Sequence, residues 1–378
     1  MIAGPRAVKP EEFEGLGELV GAVFRPSSPH SMFQEYPQLF NAANFENLRV
    51  CVENGRCVSH VGMIEREASL FGCPIQVCCI GAVATYKEHR GQGLASACFD
   101  DAVQKAYQDG VDLMIVSGDR NLYRMRGCLR VGNGRDFHLT ADSLAGLEGL
   151  PVVKLETVTE ETLPQMRECY RREPARFLRP LEDYRYAWQS RFVMNQPVDF
   201  LAVQADGIFC GYIILQQPNE YKWAAIAEYA GDRRALLAAL PQLFARYKVE
   251  GLGWHVPQHD TFFRALCEGT GLQGEPASTS GTYKIINFPQ LMQRLRPRWE
   301  ELLGREEAAK LDFSQDDDRY VFKRGRAELA TDRDTATRLL FGTIEGEAAP
   351  AVEGHGALTE ALKTLLPLPC LWYGINYV

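Results

Sequence analysis

The clearest chemical pattern is Arg90-Gly91-Gln92-Gly93-Leu94-Ala95, followed by Ser96. This R-x-x-G-x-A run lies between an apolar strand-like segment, 80–85, and an amphipathic segment, 94–110. Two glycines let the backbone curl so that successive N–H groups converge. The first turn of a helix adds donors without intrahelical acceptors and the positive end of the helix dipole. Such a cradle suits a pyrophosphate, although a tight turn with no ligand has the same glycines. Three features favour the anion. The preceding strand belongs to an antiparallel hairpin rather than a βαβ unit. Neither a Walker Lys-Ser/Thr nor the second glycine of a dinucleotide fingerprint is present. The segment after the next strand, SGDRNLYRMRGC, carries a tyrosine, Tyr123.

Other reactive side chains carry less. His255 and His259, with Asp260, have ligand-like spacing only on a helix, and Pro257 lies between them; they read as a loop or pocket wall, and no metal site is expected. His89 could meet a phosphate or simply lie at the surface. Glu65 and Glu67, on a strand, read as its solvent face; facing inward they would attract a cationic amine. Asp316-Asp317-Asp318 is too short for a calcium loop and reads as a solvated turn between 312 and 319. The 11 cysteines are scattered and form no C-x-x-C, so they read as reduced, buried apolar fillers. The five tryptophans read as core anchors.

The elements that must position the cradle are legible in outline. Helical spacing covers 9–24 after Pro10, Glu11 and Glu12. A Pro-, Ser- and His-rich loop spans 25–32. Hairpins are predicted around Asn54-Gly55 and Phe71-Gly72. The helix 94–110, a buried strand 111–118, a short helix 122–125 and a strand pair ending at Leu139 complete a first unit. The same order recurs: a helix 159–173, a hairpin around Asp206-Gly207, a strand 224–231, a helix 232–248 kinked at Pro241, a strand 251–256 and a helix 261–271. The repetition predicts a structural duplication. The second copy enters its helix through DRRALLAALPQLF, without the Gly-x-Gly cradle. The remainder differs: helical segments over 286–304 interrupted by Pro297, a strand pair over 319–332, helices over 333–342 and 355–367, and an apolar, aromatic end, PLPCLWYGINYV. An end of that composition is expected to pack inside the protein.

On these residues the chain resembles the GNAT acetyltransferase superfamily, whose acyl-CoA motif HRGQGLAS matches closely. The resemblance implies acetyl-CoA as co-substrate. Its pyrophosphate would sit on the amides of Arg90, Gly91, Gln92, Gly93, Leu94, Ala95 and Ser96, and its pantetheine arm would run beside Val83, Ala84 and Thr85. It further implies that Tyr123 protonates the departing thiolate, since a thiolate expelled from a thioester needs a proton. Asn121 is a weaker CoA contact. The domain order resembles the enhanced intracellular survival protein family, known for aminoglycoside acetylation. In that family the chain's own C-terminal carboxylate acts as general base, which here is that of Val378. Aromatic packing would desolvate this carboxylate and raise its proton affinity from about 3.3–3.7. Valine departs from the aromatic residue familiar at that place.

The resulting expectation is an α/β (α+β) fold of tandem GNAT-like mixed sheets flanked by helices. It has three domains: a catalytic one at 1–150, a degenerate second at 151–284 and a sterol-carrier-protein-like one at 285–378. The expected function is N-acetyl transfer to a small-molecule or peptide amine. The alternatives are a CoA-sensing or lipid-binding protein and a longer-chain N-acyltransferase, as in the N-myristoyltransferases. Composition agrees with a folded protein: 378 residues, 46% hydrophobic and 24% charged, enough for two or three cores. The formal net charge of −8 gives no footprint for nucleic acid or an anionic membrane. No signal-peptide-like stretch and no run of about 18 apolar residues occurs, so a cytoplasmic protein without membrane insertion is expected. The resemblance also implies a homo-oligomer.

Overall fold

The computed structural model describes residues 1–27 and 31–378, so part of the loop read over 25–32 lies outside the described residues. The strand Ile2–Ala7 (β1) opens the chain, followed by the helix Phe13–Phe24, which turns Leu16, Leu19 and Val20 into the core. The strands Leu48–Glu53 (β2), Arg56–Leu70 (β3) and Cys73–Thr85 (β4) then form a meander. Its turns are the two predicted ones. Asn54 and Gly55 have φ of 50° and 80°, and Phe71 and Gly72 have 50° and 86°, the left-handed pairs that match strand twist. The helix Leu94–Gln108 carries the chain back across the sheet to the strand Leu113–Val116 (β5), which pairs parallel with β4. β1 was not legible in the sequence, because Gly4 and Pro5 interrupt any strand pattern.

The second sheet repeats this plan. Its meander Lys154–Thr157, Gln196–Ala205, Ile208–Gln216 and Trp223–Gly231 ends in a parallel pair with Gly251–Val256. Pro241 falls where the helices Arg233–Ala238 and Leu240–Tyr247 meet, the kink its missing N–H requires.

The two sheets exchange strands. Gly134–Leu139, predicted to complete the first unit, instead pairs with Gly251–Val256 of the second sheet. Thr282–Ile285 pairs antiparallel with β5 of the first. Ala175–Phe177 also joins the far end of β3. Both swapped segments follow a parallel strand and a short helix, so local pattern is the same whichever sheet receives them.

The last part holds a three-stranded antiparallel sheet, Leu311–Asp316, Arg319–Arg324 and Ala327–Thr331, with helices including Phe288–Arg294, Arg296–Leu303, Arg333–Phe341 and Ala357–Leu365. The acidic stretch predicted as a turn over 312–319 is mostly strand. Only Asp317 and Asp318 turn, and the polar residues before them alternate along an edge strand with one exposed face. Nine of the eleven cysteines are buried. Among the described residues no helix is long and apolar enough to cross a membrane.

The final residues run back between the first two sheets, and one ion pair holds them there. Arg179 and Glu228 are both buried and meet through two N–H···O bonds of 2.8 Å. Burial opposes the charge on Arg179; the Glu228 carboxylate more than offsets it. Each partner also grips the tail. Arg179 Nε donates to Asn376 Oδ1 at 2.5 Å and Nη2 to Tyr373 O at 3.3 Å, while Glu228 Oε2 accepts the Ile375 N–H at 3.1 Å. Tyr212 donates to Glu228 at 2.6 Å, and the Arg179 guanidinium stacks 3.8 Å from the Tyr170 ring centroid. Replacing Glu228 by Ala leaves a buried guanidinium without its partner. The expected loss is about 3–5 kcal/mol in urea unfolding, with accelerated amide exchange over 371–378. The apolar pair Arg179→Met/Glu228→Leu should lose less. Unchanged exchange in the tail of Glu228→Ala would show that other contacts hold it.

Candidate functional site

A bulge in β4 creates the site. The β3–β4 register shifts between His60 and Gly62, and Ala82 takes φ of 48°, a left-handed conformation costing a residue with a Cβ about 1–2 kcal/mol. His60 supports it: its Nδ1 lies 2.8 Å from Ala82 O, which makes Nδ1 the protonated nitrogen. Burial pushes His60 down to about 4, so it is neutral at physiological pH. β4 stays in register with β5 from Val77↔Leu113 to Ile80↔Val116, and the Ser117 N–H still reaches Ile80 O at 3.0 Å. Beyond that point β4 pairs only with β3. A gap therefore opens between 81–85 and the chain leaving β5.

The end of the chain occupies the inner corner of this gap. Val378 is buried, and its carbonyl oxygen accepts from Ser117 Oγ at 2.7 Å. Gly81 makes room for it: a Cβ there would stand 1.8 Å from Val378 O and 2.0 Å from its carbonyl carbon. Tyr123, on the helix Asn121–Arg124, faces the same space and is also buried. Burial raises its phenol above the ordinary value, with the Arg120 charge pulling the other way, so Tyr123 holds its proton at neutral pH. The second unit supplies one wall through Asn195. Tyr36 donates to Asn195 Oδ1 at 2.5 Å, Asn195 Nδ2 donates to the Tyr377 hydroxyl at 3.0 Å, and that hydroxyl points to Ser117 O at 3.4 Å. The cavity so enclosed is about 150 Å³ and is also lined by Phe24, Met32, Val83 and Arg120.

The cradle lies at the outer end of the gap. Gly91 and Gly93 both have φ of 78°, and neither has an atom near where a Cβ would be. Gly93 is the N-cap of Leu94–Gln108 and offers no side-chain acceptor, so the first-turn amides are left for an external anion. Arg90 Nε donates to Thr85 O at 3.2 Å, tying the cradle to the end of β4. Open glycine positions and an N-terminus with no side-chain cap are chemistry that suits an anion such as a pyrophosphate. The second unit contrasts with it. At the equivalent junction Asp232 caps its helix by accepting the Ala235 N–H at 2.9 Å, placing a carboxylate where an anion would have to sit.

The structure brings together Val83, Tyr123 and Val378 in the cavity; Arg90, Gly91, Gln92, Gly93, Leu94, Ala95 and Ser96 do not line it and form the turn and first helical turn that follow β4. Ala84 and Thr85 lie on β4 but outside the cavity lining; Ala84 O and Thr85 Oγ1 bond Ser59 at 3.3 and 2.8 Å. Asn121 is exposed, and its amide donates to Met125 Sδ at 3.3 Å rather than facing the cavity. Glu65 is remote from it too. Burial beside Asp109 raises this carboxyl to about 7, and Glu67 is exposed on β3. His255 stacks on Trp372 with centroids 4.3 Å apart and bonds Asp136 at 2.6 Å. His89 Nε2 meets Glu53 at 3.0 Å.

Sequence reasoning missed Gly81, Ser117, Arg120, Asn195 and the Arg179–Glu228 pair. Two had a signal. Gly81 is an isolated glycine inside a strand, which often marks close backbone approach. Glu228 is a lone charge in the apolar strand AAIAEYAG, which demands a buried partner. Asn195 and Arg120 gave none, being ordinary loop residues until folding faces them inward.

Residues 5–130 match the family described as acetyltransferase (GNAT) domain. No curated protein matches the chain. Solved structures similar over the full length include a GCN5-related N-acetyltransferase from Anabaena variabilis, with TM-score 0.67, 15% identity and 100% of each chain covered. A probable N-acyltransferase from Enterococcus faecalis has TM-score 0.66 and 13% identity, covering 100% of this chain and 99% of that one. Eis1 from Mycobacterium abscessus has TM-score 0.60 and 11% identity over 97% and 96% of the two chains. At these identities the shared feature is the fold. The matched domain makes the protein an acyltransferase.

Gly81→Ala should displace Val378 while leaving the sheet in place. Carboxypeptidase should then release the C-terminal residues at least roughly tenfold faster than from the parent, the factor a 1.4 kcal/mol easier local opening gives. Equal release rates would show that the terminus does not depend on Gly81.

Proposed function

We propose that the protein is an acetyl-CoA-dependent N-acetyltransferase that passes an acetyl group to a primary amine by direct attack, without an acyl-enzyme. The observation that carries this reading is the meeting of Val378 and Tyr123 in one cavity at the β4 bulge, on the strand that leads into the open glycine turn before Leu94–Gln108.

The cradle amides of 91–96 and the dipole of their helix bind the donor's pyrophosphate, and the gap beside Val83 receives its thioester. A backbone N–H on the 83–85 stretch stabilises the oxyanion as the carbonyl becomes tetrahedral. The terminal carboxylate of Val378, oriented by Ser117 Oγ, takes a proton from the acceptor ammonium, directly or through water. The free amine attacks the thioester carbon, a C–N bond forms, and the C–S bond breaks as the tetrahedral species collapses. Tyr123 gives its proton to the leaving sulfur and regains one from solvent, and the amide nitrogen loses its second proton. The products are an N-acetylated amine, CoA thiol and one proton. A neutral phenol suits the acid role, since an ionised tyrosine has no proton to give, and burial raises this phenol further above its ordinary value.

Along the chain we propose a catalytic unit at 1–150, a second GNAT-like unit at 151–284 whose Asp232 excludes an anion, these two exchanging the strands Gly134–Leu139 and Thr282–Ile285, and a sterol-carrier-protein-like unit at 285–378 that lends its end to the site. The same resemblance leads us to propose a cytoplasmic homo-oligomer. One observation favours a second reading, a lipid-binding role. The last unit carries an open cavity of about 280 Å³ lined in part by Leu339, Val352, Leu362 and Leu366.

Tyr123→Phe should lower kcat by about 10²–10⁴-fold with acetyl-CoA affinity near that of the parent. An unchanged rate would remove Tyr123 from the mechanism. Extending the chain beyond Val378 by a few residues should abolish turnover without lowering the melting temperature. A fully active extended protein would rule out the carboxylate.

A further inference from the structure

The acceptor cavity has an unexpected charge pattern. Among the described residues lining it, Arg120 is the sole side chain with a formal charge. Among the described residues no acidic side chain lines it. Three buried carboxylates outside its lining are already engaged: Glu35 with Arg25 at 2.7 Å, Asp183 with Arg66 at 3.4 Å, and Glu228 with Arg179 at 2.8 Å. The remaining polar groups are hydroxyls and the Asn195 amide, while Phe24 and Met32 form an apolar wall. Arg120 is exposed at the mouth, and among the described residues no hydrogen bond or ion pair holds its guanidinium. It shares the cavity lining with Tyr123 and Tyr377, and its charge lowers the proton affinity of both hydroxyls against the effect of burial.

Accepting the acyl-transfer reading above, we infer that the acceptor is a small amino acid with an apolar side chain, its ammonium directed to the Val378 carboxylate and its own carboxylate held by Arg120. The two charges of such a molecule match the two of the site. An arginine presents a planar fork of donors suited to a carboxylate. A polycation would bring a second ammonium against Arg120 with no side-chain carboxylate to receive it, an arrangement that disfavours polyamines and aminoglycosides. The apolar wall suits a leucine-, methionine- or phenylalanine-like side chain.

The test compares CoA thiol release by the untagged protein with L-phenylalanine, L-phenylalanine amide, phenethylamine and spermidine, in the parent and in Arg120→Gln. The expected result is kcat/KM for phenylalanine at least roughly tenfold above its amide and phenethylamine in the parent, falling toward equality in Arg120→Gln, with the KM for acetyl-CoA unchanged. Equilibrium binding of phenylalanine, followed by intrinsic fluorescence, should weaken by a similar factor in the variant. Preference for spermidine would overturn the inference and leave acyl transfer standing. A raised KM for acetyl-CoA in Arg120→Gln, with no change in amine preference, would assign Arg120 to the donor and overturn it as well. Phenylalanine binding that depends on Arg120 without CoA release from any amine would support the pocket's selectivity while overturning the transfer reading. The absence of both would overturn the two together.

Discussion

The Arg179–Glu228 pair is the constraint on which the site depends. Two fully buried charges are costly to desolvate, and their attraction repays that cost only when geometry is good and the remaining polar atoms are satisfied. Here Tyr212 takes part of the carboxylate's spare capacity, and the rest of what both partners offer goes to the segment 373–376. Gly374 is part of the fit, since a Cβ there would stand 1.6 Å from Glu228 Oε2. Replaced by apolar residues, the pair could leave stability intact and still lose the tail's position. It therefore acts through geometry: the second unit holds the end of the third against the sheet of the first.

At the far end of that tail, the bulge and the terminus explain each other. A regular β4–β5 ladder would continue past Ile80 and leave no gap. Ala82 in a left-handed conformation, with its carbonyl taken by His60, turns β4 away and frees the space. Gly81 then lets the last carbonyl come closer than any side chain would permit. His60 works as a neutral hydrogen-bond donor because of its burial, and burial also raises the proton affinity of Tyr123. Water exclusion thus serves both support and chemistry.

The two GNAT-like units diverge at one small feature. Each brings a strand into a helix after an antiparallel meander, but one helix begins at Gly93 and the other at Asp232. Glycine leaves the first-turn amides unclaimed, whereas aspartate claims one and adds a negative charge. The second unit can therefore serve as wall and anchor, through Asn195, Arg179 and Glu228. The exchanged strands Gly134–Leu139 and Thr282–Ile285 interlock the two sheets, which keeps that wall in register with the gap beside β4.

Much of this was written locally. Turn residues set the hairpins at Asn54-Gly55, Phe71-Gly72 and Asp206-Gly207, because only left-handed backbone closes such turns with the right twist. Helix-opening glycines marked the cradle, and the order of elements marked the duplication. Those signals act over a few residues, where sterics and hydrogen bonding decide alone. The destination of a strand was not local: Gly134–Leu139 has the same alternation in either sheet, and only the packing of the whole chain assigns it. The same holds for Arg120, Ser117 and Asn195, whose meaning comes from residues up to 261 positions away. Sequence determined the parts and the chemistry each can support. Tertiary structure decided which of them meet, because a buried ion pair and a glycine-sized gap become constraints only when distant segments are brought together.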